Sequence, residues 1–214
     1  MQKTLIVFIM MALYATTLKA QEVINRDTNY VVLANGLDTI FCDINTKFMG
    51  KKHWFKPVGS NAKYQEITPD KVKGYYIKDS GEFYEAVFTA DKKEGFFAFV
   101  IEKGKINLFE VRVTLVGMNG IGGMYSSEGI TWYISKGSNN AEVLKYNGLT
   151  FDKKNKRKTI LEEMVADNKE AAERYEKSKK FTFNHIRSIV HFYNTGYWVK
   201  NWDFTDYSRF LDKH

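Results

Sequence analysis

The amino-acid sequence predicts an α+β fold: a curled antiparallel β-sheet, in sandwich or partly open barrel form, with a C-terminal pair of amphipathic helices. Three observations carry this. Short apolar runs between turn residues succeed one another over residues 29–147, several alternating with a period of two. After residue 158 the apolar spacing changes to that of a helix. Aromatic residues reach 15% and proline occurs only twice, which suits strands packed into a core and argues against disorder.

The strands follow in order. Tyr30–Leu33 precedes Asn35-Gly36, a dipeptide suited to a tight hairpin because both positions tolerate positive φ, and Thr39–Ile44 returns as its partner. Gly74–Lys78 and Phe83–Phe88 flank the turn residues Asp79-Ser80-Gly81-Glu82. Gly95–Ile101 and Ile106–Leu115 form the clearest hairpin around Lys103-Gly104-Lys105. On its second strand Phe109, Val111, Val113 and Leu115 share one face, while Glu110, Arg112 and Thr114 take the other, as in a sheet with one face on the core. Trp132–Ile134 and Val143–Tyr146 complete a sheet of roughly eight to ten strands.

The run Lys153–Lys158 reads as a solvated basic linker over 152–158, before helices over 159–195. Thr159 and Glu162 have capping-box spacing, and Leu161, Met164, Val165, Ala172 and Tyr175 then share one helical face. A second helix carries Phe183, Ile186, Ile189, Val190 and Tyr193, with Gly196 placed to end it. An aromatic tail fills 196–214.

The first twenty residues read as a secretory signal peptide. Lys3 supplies the basic front, Leu5–Leu13 the apolar stretch, and Ala20 the small residue before the cleavage point. That stretch is shorter than the roughly 20 residues that span a bilayer. Cleavage leaves one mature domain, 21–214, with no transmembrane segment, and lowers the formal net charge from +7 to +5 by removing Lys3 and Lys19. The expected place is the periplasm, with secretion as the alternative. Export also argues against a nucleic-acid partner for the basic run, leaving anionic lipid or polysaccharide as its possible contacts.

Several motifs together resemble a group of uncharacterised exported proteins of Bacteroidetes. They are Asn35-Gly36 with Asp38-Thr39-Ile40, the pair Phe96–Ile101 and Gly104–Phe109, Trp132–Lys136, a helix bearing Asp167, and a helix ending in Phe192-Tyr193-Asn194. Leu37, Cys42 and Asn168 depart from the pattern. The resemblance implies a Gram-negative envelope protein and carries over no catalytic residue.

No catalytic residue, cofactor or metal site is expected from the residues themselves. His185 and His191 lie six apart, about 120° around an ideal helix, and do not share a chelating face. The lone Cys42 excludes zinc sites built on cysteine pairs and, mid-strand, reads as a small buried hydrophobe. No Gly-x-Ser-x-Gly elbow occurs. Gly117–Gly123 lacks the Lys-Ser/Thr and following helix of a phosphate loop, so Gly120 and Gly122 read as parts of a strand-connecting loop able to bind. In the tail, Trp198, Trp202 and Tyr207 are candidates for stacking on a glycan or a partner, although ordinary burial preference sends the same rings back over the core. The functional expectation is non-enzymatic binding of a ligand or envelope partner. A hydrolase assembled in three dimensions and a structural accessory of an envelope assembly are the alternatives.

Overall fold

The computed structural model describes residues 27–46, 52–118, 124–137, 140–147 and 154–202. Ten strands form one antiparallel sheet: β1 (Tyr30–Leu33), β2 (Thr39–Thr46), β3 (His53–Pro57), β4 (Gln65–Glu66), β5 (Val72–Ile77), β6 (Glu82–Val87), β7 (Phe96–Glu102), β8 (Ile106–Met118), β9 (Met124–Lys136) and β10 (Glu142–Tyr146). Their order is β10-β9-β8-β7-β6-β5-β1-β2-β3-β4, open at both ends. Three helices follow: α1 (Lys154–Val165), α2 (Lys169–Ser178) and α3 (Phe183–Thr195). The expected sheet is present, and the expected helix pair is a trio.

Asn168 explains the extra helix. Its side chain accepts the amide of Ala171 at 3.1 Å, capping a new helix, while its own N–H closes on the Val165 carbonyl at 2.9 Å. The apolar face continues across the break, because Leu161 and Val165 of α1 and Ala171 and Tyr175 of α2 enter one core. The basic run is also corrected: Lys154–Lys158 are the first turns of α1, and Thr159 lies inside that helix. Lysine and arginine are good helix formers, and the Arg157 guanidinium sits 4.3 Å above the Tyr146 ring, fastening the start of α1 to β10. Gly196 ends α3 as expected, at φ 77° with its N–H bonded to the Phe192 carbonyl.

β3 and β4 were not foreseen, and they make the sheet curl. His53 of β3 meets the Tyr75 ring of β5 at 5.4 Å although β1 and β2 lie between these strands. Inside the curl Val31, Cys42, Phe55, Ile67, Val72 and Tyr75 form one apolar cluster.

At the other end of the sheet the helices cover one face. Register places Glu110 opposite Trp132, so the face of β8 read as polar is the one beneath the helices. Ile106, Leu108, Trp132, Ile134 and Leu144 meet Leu161, Ile186, Ile189 and Val190 there. Fully burying each such side chain contributes about 1.5–3 kcal/mol. The opposite face is apolar too, with Val87, Ala98, Phe109 and Tyr133 in a third cluster. Near β7–β9 the sheet is therefore buried on both sides.

Candidate functional site

The tail residues proposed for binding separate into two groups. Trp198 and Trp202 are half-buried against α3, and Tyr207 lies outside the described residues, as do Gly120 and Gly122. Trp202 donates its indole N–H to Ser188 Oγ at 3.0 Å, and its backbone N–H reaches Asn184 Oδ1 at 3.1 Å. Arg187 lies 3.9 Å above its ring, and His191 meets its edge. Behind them Glu102 of β7 accepts from Arg187 Nε at 2.8 Å and bonds His191 Nδ1 at 3.1 Å. Trp198 packs on Phe192 and His185. These two rings secure the last described turn of chain to the body.

Residues from distant motifs converge at the end of the sheet bearing the β7–β8 turn. Lys136 Nζ bonds Asp167 Oδ1 at 2.6 Å, and Tyr193 donates its hydroxyl to the same carboxylate. Asn194 donates to the Ile106 carbonyl at 2.8 Å and accepts the Ile106 N–H at 3.0 Å. Its amide thus stands in for a strand beside β8, whose pairing with β7 ends at Leu108. Gly104 allows the approach, since a Cβ there would lie 2.5 Å from Asn194 Cγ.

A serine–histidine pair, absent from the sequence reading, joins Ser178 Oγ and His185 Nε2 at 2.5 Å. Ser178 ends α2 and also bonds the Tyr175 carbonyl at 3.1 Å. Burial, reinforced by Lys180, lowers the His185 pKa and favours the neutral ring. A helix C-terminus carries partial negative charge and opposes an alkoxide, and among the described residues no carboxylate orients this imidazole. The pair ties the α2–α3 turn rather than forming a nucleophile. Cys42 is 1% exposed, and burial, then the Asp43 charge, push its thiol up to about 12. It is a packed hydrophobe, as its mid-strand position suggested. Among the described residues no three metal-binding side chains gather. A hollow of about 460 Å³ bordered by Lys92–Phe96 lies open to solvent.

The remaining feature is an arm. β8 and β9 stay in register from Ile106↔Lys136 to Met118↔Met124, but β7 pairs with β8 only as far as Glu110. β10 pairs with β9 only as far as Thr131, and Asn147 extends that edge to Ile130. From Val113↔Gly129 outward, six register pairs form a ribbon that no other described strand joins. At about 3.4 Å per residue it reaches roughly 17–20 Å beyond the body. The sequence read Gly117–Gly123 as a strand-connecting loop. The strands on either side end at Met118 and begin again at Met124.

By fold the protein is an open, curled antiparallel sheet backed by three helices and extended by this arm. No known protein family, curated protein or solved structure matches the chain.

Proposed function

We propose that this chain is an exported envelope protein that binds a partner through the β8–β9 arm and catalyses no reaction. The observation that carries the reading is the ribbon Val113–Met118 with Met124–Gly129, which no third described strand joins. A two-stranded hairpin alone is marginally stable in water, and its outer amides and carbonyls are suited to pairing with an added strand. The leader Lys3, Leu5–Leu13 and Ala20 supports export, and the motifs around Asp38 and Trp132–Lys136 support an envelope setting. No helix among the described residues is long and apolar enough to cross a membrane.

The test is photo-cross-linking in cells, with the photoreactive residue at exposed Thr114 on the arm or at exposed Lys93 on the body. Adducts from position 114 and none from position 93 are expected. Equal labelling at both positions, or none at 114, removes the arm as the binding element. Sequencing the mature N-terminus tests export separately, with Gln21 as the expected first residue.

A further inference from the structure

Building on the arm as the binding element, we infer that its occupant is a second copy of this chain, joined edge to edge through β8 about a two-fold axis. Three observations select this partner.

The first is the state of the other edges. β4 is two residues long and its Glu66 is engaged by Lys52 at 2.8 Å. β10 bears Glu142 and Lys145 and lies against α1. Short, charged or covered edges resist strand addition. β9 has its base occupied by Asn147 and continues outward through Gly129, Glu128, Ser127 and Ser126, poor strand formers with a charge among them. β8 runs from Val113 through Thr114, Leu115, Val116 and Gly117 to Met118 with neither proline nor charge. It is the long edge without a blocking device among the described residues.

The second is charge. Without Lys3 and Lys19 of the leader the mature chain keeps a formal net charge of +5, so two bodies repel when they approach. Leu115 to Ser127 contains no charged residue at all. An uncharged edge offers a charged strand nothing to pair with and offers its own copy no repulsion. The arm also holds the bodies apart, because the overlapped ribbons leave roughly 17–20 Å between them, more than a Debye length of about 8 Å.

The third is self-complementarity. An antiparallel strand pair has a two-fold axis, and identical edges satisfy it in a closed, isologous contact. One residue then lies opposite itself. Overlap of Val113–Met118 with its copy puts Leu115 or Val116 on that axis.

The test uses the mature chain, residues 21–214. Light scattering over a roughly hundredfold concentration range should show the mass rising from one chain towards two. Two lysines on the edge, Thr114→Lys with Val116→Lys, should weaken association at least tenfold. Replacing 114–128 by an Asn-Gly turn should abolish association while leaving the unfolding midpoint in place at concentrations where the parent is a single chain. Of the single substitutions Thr114→Cys, Leu115→Cys and Val116→Cys, only the one on the axis should form an interchain disulfide readily in air. Buried Cys42 should stay silent. A mass fixed at one chain, dimers that survive removal of the arm, or equal cross-linking by all three cysteines overturns self-pairing. Adducts from position 114 only to other proteins also overturn it while leaving arm-mediated binding in place. Absence of any adduct removes both.

Discussion

Strands β8 and β9 can be compared at their two ends. Near the β7–β8 turn, Ile106, Leu108 and Ile134 are fully buried beneath α1 and α3, and Phe109 and Tyr133 are buried on the reverse face. Beyond Val113 and Gly129 the same two strands pair only with each other among the described residues. One hairpin thus serves as the centre of a core and as a projecting ribbon. Packing against helices stabilises the inner half, and the outer half takes its order from the register that the inner half sets. A residue's importance to stability should therefore fall sharply past Glu110, while its importance to binding rises.

The largest effect is expected at Trp132. Trp132→Ala removes a ring that is 1% exposed and the indole N–H that Glu110 accepts at 2.7 Å. A loss of about 3–5 kcal/mol in chemical unfolding is expected. A loss below about 1 kcal/mol would mean that the inner half is not the core centre. Next comes Asn194→Ala, which leaves both Ile106 backbone groups without their partner. It should cost about 1–3 kcal/mol and speed amide exchange at Ile106.

A smaller effect comes from pH. Burial lowers the pKa of His53, and burial with Lys180 lowers that of His185, from a usual value of 6.5. The unfolded chain takes up these protons first, so the contribution is complete above pH 6.5 and is lost as pH falls below it. Urea midpoints measured from about pH 8 down to about pH 5 should fall, and His185→Gln should flatten the slope. Neither histidine lies in the arm, so association through the arm should not follow this curve. The smallest effect on stability is expected from shortening the arm, within about 0.5 kcal/mol of the parent. A larger loss would make the ribbon part of the folding unit and erase the contrast.

The sequence signalled the inner half better than the outer. Alternation in Phe109–Leu115 reveals the strand and sets Glu110 on the face opposite Phe109, but the period does not show that this second face is covered as well. Glu110 is 5% exposed because Arg112 and Trp132 satisfy its carboxylate beneath the helices. Ser126-Ser127-Glu128-Gly129 has little strand propensity, so the sequence marks only Trp132–Ile134 of β9 as strand. Its residue-by-residue pairing with β8 makes it a strand from Met124. β3 was hidden by Lys56 and Pro57, and the helix break by an Asn whose cap only the backbone reveals. Of the candidate site, the tail tryptophans and the glycine segment were visible as compositions. The fastening role of the tryptophans depends on contacts with α3 and β7 that composition does not show, and Gly120 and Gly122 lie outside the described residues.

The Asn194 contact has a consequence in time. Ile106 and Asn194 are 88 positions apart, and the bonds from Glu102 to Arg187 and His191 span 85 and 89. A chain emerging from its amino end completes the β7–β8 turn long before α3 exists to cover it. Until then the margin of β8 beside Ile106 is as open as its far end. Closing that margin is a late step, made by the last helix, and it leaves β8 with a single direction in which to recruit another strand.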